Sequence, residues 1–204
     1  MIKNIIFDIG GVLQAEDWDY AAGKLSSLKR ISGHEFGLVI QKDRINHLDL
    51  YETGKISHGE YYSFVLNNLN LTNNKKAENS LRNALKNIWT DVNYDLIDLA
   101  QHLLVKKKLL LSNSFPELEE NAKEKGYLKY FDTAYFSHRT GFKKPDKEIF
   151  LYTLEKERIK PEETIFVDNK EENTKAAEKT GIKAILYKSH IMLLAELKKY
   201  QLIK

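Results

Sequence analysis

The chain has 204 residues, of which 42% are hydrophobic and 30% are charged. This balance is typical of a globular protein and excludes a chain that is disordered throughout. The net charge of +3 arises from 32 basic and 29 acidic residues, an excess too small to indicate binding to nucleic acid. There is no cysteine, which excludes a disulfide framework, a thiol nucleophile and a cysteine zinc site.

Hydropathy predicts the cellular environment. No apolar run is long enough to span a membrane, and the first residues read as a strand rather than as a signal peptide. We therefore expect a soluble cytoplasmic protein that acts on neither membranes nor nucleic acid. The oligomeric state is unknown from the sequence.

The first predicted strand ends in a carboxylate and two glycines. An apolar run that closes with Phe7 is followed by Asp8 and, after one residue, by Gly10 and Gly11. Open α/β sheets bind ligands at the carboxyl ends of their strands. Glycines let the backbone approach a ligand closely and direct N–H groups at an anion. This turn is therefore a candidate ligand site, with Gly11 as a candidate phosphate contact.

The next part of the chain has helical patterns and no convincing strand between residues 17 and 89. Leucine and aromatic residues recur there at helical spacing, which indicates packing faces. Stops and caps separate four predicted helices, over residues 18–31, 35–51, 60–69 and 75–89.

After residue 91 the pattern changes to alternating helices and strands, which favours a mainly parallel sheet with helices on both faces. The predicted strands cover residues 109–111, 133–137, 164–167 and 182–187. The predicted helices cover residues 96–104, 116–126, 146–158, 170–180 and 191–202. The helical block interrupts this unit after the first strand. We therefore predict a core domain formed by residues 1–14 plus 91–204 and an inserted helical cap domain formed by residues 15–90.

Four groups with functional chemistry follow the predicted strands. They are Asp8, the pair Ser112–Asn113, Lys144 within a loop, and the pair Asp168–Asn169. In a parallel sheet all four lie at one edge, so they can converge. Carboxylates suit a hard divalent cation such as Mg²⁺. A lysine and a hydroxyl suit phosphate oxygens, and a carboxylate can attack phosphorus.

With these motifs in this order, the chain resembles the haloacid dehalogenase superfamily of hydrolases, in the branch with a helical cap after the first strand. The matching stretches are IIFDIGGVL (5–13), YETGKIS (51–57), LLLSNS (109–114), TGFKKPDKEIF (140–150) and IFVDNKEENTKAAEKTGIKAI (165–185). The resemblance implies an α/β fold: a three-layer, Rossmann-like core with about five parallel strands and a mobile, all-helical cap.

The resemblance also implies roles for individual residues. Asp8 matches the nucleophile, which is also a metal ligand, and Gly10 matches a position whose carbonyl binds Mg²⁺. Asp168 matches the second acidic metal ligand. The remaining matches concern phosphate: Ser112 and Asn113 match the phosphate-binding pair, and Lys144 matches the lysine that steadies nucleophile and phosphate.

One departure from the family pattern concerns proton transfer. Phosphatases of this family usually carry an aspartate two residues after the nucleophile as general acid and base, where this chain has Gly10. Such catalysis typically contributes about 10²–10⁴-fold, so we expect a slow enzyme unless another group substitutes. Glu16 and Asp17 are candidates for that group, and a solvated cap entrance is the alternative.

A second departure is Asn169, where many relatives have another aspartate. Its amide oxygen can still orient a metal-bound water, with one negative charge fewer. Glu172 lies nearby on the next predicted helix. We expect these two residues in the second shell of the metal site, although a surface glutamate is the alternative for Glu172.

The predicted function is an Mg²⁺-dependent phosphatase that cleaves a small phosphorylated metabolite, such as a sugar phosphate, through an aspartyl-phosphate. The alternative is a catalytically weak binding or regulatory protein. A dehalogenase is disfavoured because dehalogenases of the superfamily use no metal and lack the carboxylate matched by Asp168. The residues that choose the substrate remain open among Trp18, Tyr20, Arg44, His47 and Tyr51 of the cap, with His138 and Arg139 as weaker candidates.

Overall fold

A computed structural model describes residues 1–203. Its centre is a five-stranded sheet formed by β1 (Asn4–Phe7), β4 (Lys107–Ser112), β5 (Thr133–Phe136), β6 (Thr164–Asp168) and β7 (Lys183–Leu186). The strand order is β5-β4-β1-β6-β7, and all neighbouring strands are parallel. The predicted parallel sheet of about five strands is therefore confirmed.

Both faces of the sheet are buried, which explains the continuous apolar runs of its central strands. Successive side chains of a strand point to opposite faces. Ile5 and Phe7 accordingly belong to one apolar cluster, while Ile6 belongs to a second cluster with Phe150 and Phe166. The core therefore has the predicted three layers.

The helices after the inserted segment pack around this sheet. They are α6 (Tyr94–His102), α7 (Pro116–Lys125), α8 (Ser137–Thr140), α9 (Lys147–Glu157), α10 (Glu171–Glu178) and α11 (His190–Lys199). Helix α7 starts with Pro116 at its first position and ends at Gly126 in the left-handed region, as the sequence predicts.

Five helices make up the inserted cap: α1 (Trp18–Gly23), α2 (Gly33–Gln41), α3 (Leu48–Glu52), α4 (His58–Asn68) and α5 (Lys75–Lys86). The predicted helix over 35–51 is wrong, because α2 ends at Gln41 and the chain reverses through Asp43, whose φ is +47°. The predicted helix over 18–31 is also shorter than expected. Capping boxes begin α2 at Ser32 and α4 at Ser57.

A short two-stranded antiparallel sheet lies where the chain leaves and re-enters the core, and sequence reasoning missed it. Strand β2 (Gln14–Glu16) pairs with β3 (Trp89–Val92). Three or four residues of mixed polarity carry too little periodicity to identify a strand. The domain boundaries themselves remain a prediction, and this two-stranded sheet contains both of the expected junctions.

The lengths and hydropathy of the helices bear on whether any of them could span a membrane. Within residues 1–203, every helix is too short or too polar to cross a lipid bilayer.

Candidate active site

Asp8 lies immediately beyond β1, at the carboxyl edge of the sheet, and is 6% exposed. One carboxylate oxygen accepts a hydrogen bond from the backbone N–H of Ile9 at 2.7 Å. The same oxygen lies 2.8 Å from Nζ of Lys144. The carboxylate is thus held in one position at the end of a buried strand, which suits a group that takes part in a reaction.

Lys144 joins the carboxylates of two strands. Its Nζ lies 2.8 Å from Asp8 and 2.7 Å from Asp168, and it donates to the carbonyl of Leu111 at 3.0 Å. Its backbone is fixed by Asn113, whose side chain donates to the Lys144 carbonyl at 2.7 Å and accepts from its N–H at 2.8 Å. The loop after β5 is thereby tied to the end of β4.

Asp168 is fully buried at the end of β6. Its carboxylate accepts hydrogen bonds from the N–H of Lys170 at 2.8 Å and from the side chain of Asn173 at 2.9 Å. Sequence reasoning missed Asn173. The signal for it was its place one turn into the helix that follows an acidic strand end.

Asp8, Lys144 and Asp168 form a triad of charged side chains, in which two carboxylates face one ammonium group. Burial, with the Asp168 charge adding to it, raises the pKa of Asp8 to about 7 although Lys144 acts in the opposite direction. Burial disfavours the charge on Lys144, but the two carboxylates outweigh it and the pKa of Lys144 lies above its usual value. With both carboxylates ionised, the buried site therefore has a formal charge of −1.

This donor set fits a Mg²⁺ ion. In the part of the chain that the structure describes, no group of three or more His, Asp, Glu or Cys side chains is placed to hold a metal. Mg²⁺ needs no such group, because it is commonly held by one or two carboxylates and keeps several waters. Asp8 and Asp168, brought together on one lysine, meet that requirement.

Gly11, the second of the two glycines after Asp8, has a structural role in the turn. Gly11 has φ of +76°, and its Cα faces the side chain of Asn169. Its N–H, expected to face an anion, instead donates to the carbonyl of Gln14 at 2.7 Å. Gly11 therefore closes the turn, because a left-handed residue there lets the chain return to Gln14.

The other predicted site residues lie around the triad. The Ser112 hydroxyl is buried at the end of β4 and donates to the carbonyl of Asn113 at 3.2 Å. Asn169 and Glu172 are exposed. Asn169 adjoins Gly11, whereas the side chain that reaches Asp168 from α10 is Asn173 rather than Glu172.

Cap and core meet through buried polar contacts. Lys143, next to Lys144, contacts Asp49 and Glu52 of α3, each at 2.6 Å. Glu117 at the start of α7 accepts hydrogen bonds from Tyr51 at 2.7 Å and from Tyr62. The structure thus places Tyr51 in a cap–core contact.

The other candidates for substrate choice are engaged differently. Arg44 pairs with Asp49 at 2.8 Å, and the ring of His47 stacks on Phe64. His138 hydrogen-bonds Glu119 at 2.9 Å. A cavity of about 570 Å³ lies between α4, α5 and the start of α7; Tyr51, Tyr62 and Glu117 line it, and the triad does not.

The fold and the strand-end triad define a class of hydrolases that have a Rossmann-like parallel sheet, a helical cap and a carboxylate after the first strand. The sequence profile of the haloacid dehalogenase-like hydrolases matches residues 2–181. The chain belongs to this family.

Two relatives are phosphatases. The chain is 29% identical over 200 residues, 89% of each chain, to a D-ribitol-5-phosphate phosphatase of Bacteroides thetaiotaomicron. It is 34% identical over 80 residues, 38% of this chain and 37% of the relative, to a phosphorylated carbohydrates phosphatase of Thermotoga maritima.

Solved structures share the fold. A family enzyme of Bacteroides thetaiotaomicron, solved with magnesium and inorganic phosphate, superposes with a TM-score of 0.78 at 24% identity, covering 93% of this chain and 96% of that one. An L-2-haloacid dehalogenase of Xanthobacter autotrophicus superposes with a TM-score of 0.69 at 19% identity, covering 97% and 83%. The same architecture therefore serves two chemistries, and the site must decide between them.

Proposed function

We propose that the protein is an Mg²⁺-dependent phosphatase that hydrolyses a small phosphorylated metabolite through an aspartyl-phosphate on Asp8. The observation that carries this proposal is the pair of buried carboxylates, Asp8 and Asp168, that meet on Lys144. A dehalogenase needs only the first carboxylate. A second one, fully buried and bringing the site to a net negative charge, is useful when a cation is bound.

In the first step, Asp8 attacks phosphorus and the bond to the leaving oxygen breaks. Lys144 holds the attacking carboxylate and can balance charge on the transferring group, since charge stabilisation is the main task in phosphoryl transfer. Ser112 and the Asn113 backbone would bind the phosphate oxygens at the end of β4. In the second step, water attacks the same phosphorus and Asp8 is released as a carboxylate.

Asp8, Asp168 and the carbonyl of Gly10 would hold Mg²⁺. The ion, when bound, supplies positive charge beside the phosphate and offsets the excess negative charge of the triad. Asn173 and the N–H of Lys170 keep the Asp168 carboxylate oriented.

The substrate class follows from the relatives and from the cap. Two relatives are phosphatases of a pentitol phosphate and of phosphorylated carbohydrates. The cap of this chain is tied to the core through Lys143, next to Lys144, and through Glu117, and a cap held close to the site favours a small substrate over a phosphoprotein. A sugar or polyol phosphate is the substrate that fits both.

The test measures phosphate release from a panel of sugar and polyol phosphates, with Mg²⁺ and with a chelator. We expect turnover by the wild-type protein with Mg²⁺ only, and a loss on the order of 10⁴–10⁶-fold in Asp8→Asn. Asp98→Asn, which changes an exposed aspartate of α6, is the control and should match the wild type.

A binding or regulatory role is the second candidate, favoured by the missing side chain at Gly10. It predicts Mg²⁺-dependent binding of inorganic phosphate without turnover of any substrate. Calorimetry with phosphate, run on the preparation used for the turnover panel, separates the two functions.

A further inference from the structure

The space beside Gly10 contains a carboxylate from the neighbouring strand. A Cβ atom built on Gly10 would lie 2.7 Å from Oε1 of Glu16 and 2.9 Å from Nε1 of Trp89. Both separations are shorter than van der Waals contact. The Glu16 carboxylate therefore occupies the space that a side chain at position 10, two residues after Asp8, would fill.

The pairing of β2 with β3 explains why the Glu16 side chain lies beside Gly10. Gln14 pairs with Val92, but Glu16 pairs with Trp89, so the register shifts by one residue between the two pairs. Such a bulge redirects a side chain and is common beside active sites. The strand thus turns its last side chain toward the glycine turn that follows Asp8.

Polar contacts anchor this strand to the core. Gln14 is buried and donates to Asn121 at 2.9 Å, and it accepts from Tyr127 at 2.7 Å. Asn121 in turn donates to the carbonyl of Trp89 at 3.0 Å. The backbone around Glu16 is therefore fixed, while its side chain is exposed.

The neighbouring carboxylate has a different task. Asp17 caps helix α1, and its carboxylate accepts a hydrogen bond from the N–H of Tyr20 at 2.8 Å. The side chain of an N-cap residue is occupied by this hydrogen bond, which satisfies a backbone N–H of the first helical turn. Of the two carboxylates on this segment, Glu16 is thus the one that lies beside Gly10 and has no capping role.

We propose that Glu16 transfers protons in place of the aspartate that is absent at position 10; this inference rests on the phosphatase function proposed above. When Asp8 attacks phosphorus, the electron pair of the breaking P–O bond goes to the leaving oxygen, which takes the proton of the Glu16 carboxyl. The products are the free alcohol, the aspartyl-phosphate and the Glu16 carboxylate.

Hydrolysis of the intermediate restores the starting state. The Glu16 carboxylate takes a proton from the attacking water as its oxygen bonds to phosphorus. The bond between phosphorus and Asp8 breaks, and its electron pair returns to the Asp8 carboxylate. Inorganic phosphate leaves, and Glu16 is protonated for the next cycle.

The test compares two leaving groups in Glu16→Gln. D-Ribitol 5-phosphate has an alkoxide leaving group that needs a proton, whereas p-nitrophenyl phosphate releases a stable phenolate. We expect kcat/KM to fall about 10²-fold or more for the first and less than about threefold for the second, since only the first departure needs an acid. The variant should also accumulate phosphorylated protein after p-nitrophenyl phosphate, detected by intact-mass measurement of acid-quenched samples.

Two controls keep the outcomes distinct. Asp17→Asn retains a capping side chain and should keep the wild-type kcat/KM for both substrates, and thermal melting checks that each variant is folded. An equal fall for both substrates in Glu16→Gln, or no fall for either, would overturn the role of Glu16 while leaving an Asp8-dependent phosphatase intact. No turnover of either substrate by the wild-type protein would refute the proposed function, and the role of Glu16 with it.

Discussion

Lys143 and Lys144 are neighbours in the chain, yet they serve two different regions of the molecule. Lys144 lies between Asp8 and Asp168 at the carboxyl edge of the sheet, within 2.8 Å of both. Lys143 lies between Asp49 and Glu52 of the cap, at 2.6 Å from each. Consecutive side chains thus form the same pattern, one cation between two carboxylates, inside the core and across the cap boundary.

The difference between the two clusters is their charge. Arg44 adds a second cation to the cap cluster, at 2.8 Å from Asp49 and 3.3 Å from Glu52. Two cations then face two carboxylates there, whereas the core triad has one cation for two. A neutral cluster is complete as it stands, while a buried cluster with net charge gains from binding a cation. This difference supports a structural role for the cap cluster and agrees with the cation site proposed for the core cluster.

Removal of the core lysine should have the largest effect on stability. Lys144→Met would leave two buried carboxylates unpaired, and we expect the free energy of unfolding to fall by about 3–5 kcal/mol at pH 7 with chelator. Burial already raises the pKa of Asp8, and this variant removes the lysine that acts against that shift, so the loss should grow as pH rises and shrink toward pH 4. Urea unfolding across that range measures it. A loss below about 1 kcal/mol at pH 7 would contradict a tightly coupled triad.

Mg²⁺ should stabilise the protein through the core cluster alone. At about 100 times its dissociation constant, an ion that binds only the folded state adds about 2.7 kcal/mol. We expect this gain in the wild type and in Asp49→Asn of the cap, and none in Asp168→Asn. Thermal melting with increasing Mg²⁺ is the measurement. A gain that survives Asp168→Asn would place the ion elsewhere.

Asp8 should impose a pH dependence on stability in the absence of metal. Its folded-state pKa of about 7 lies above its ordinary value of 3.8. Between these values the folded protein holds a proton that the unfolded chain has released, so the free energy of unfolding falls as pH rises through this window. Asp8→Asn removes that slope and should be more stable than the wild type at pH 8, by on the order of 1 kcal/mol. Equal slopes in chelator-treated urea titrations would count against a raised pKa.

Removal of the cap lysine should have the smallest effect. Lys143→Met leaves Arg44 beside both carboxylates, so we expect a loss of about 1 kcal/mol. The affected property should be cap closure: hydrogen exchange in α3 should accelerate and KM should rise, with kcat retained better than in Lys144→Met. An unchanged exchange rate in α3 would mean that Lys143 does not hold the cap.

Most of the core could be predicted from local pattern. The strands that carry Asp8, Ser112 and Asp168 are short apolar runs, buried on both faces, and such runs end where the polar residue begins. Once the strands are parallel, their carboxyl ends must share an edge. The convergence of Asp8 and Asp168 therefore follows from the strand-end rule. Lys144 lies in the loop after α8, and its place between them depends on the contacts of its backbone with Asn113.

Short and exposed segments escaped the same reasoning. Strands β2 and β3 are three and four residues long and pair residues that are about 75 positions apart in the sequence. Neither strand therefore has a local signature. The break of the predicted helix after Gln41 depends on a left-handed Asp43, a conformation that sequence periodicity does not report. Asn173 was missed because an asparagine inside a helix has many other uses.

By itself, the sequence determined which residues end the strands and in what order they come, because side-chain periodicity and glycine turns are encoded within a few residues. Only the tertiary structure decided what lies beside them. It sent Lys143 to the cap and Lys144 to the core, turned the N–H of Gly11 inward to Gln14, and brought Glu16 to the empty side of Gly10. These outcomes depend on contacts between distant segments, and no short stretch of sequence contains them.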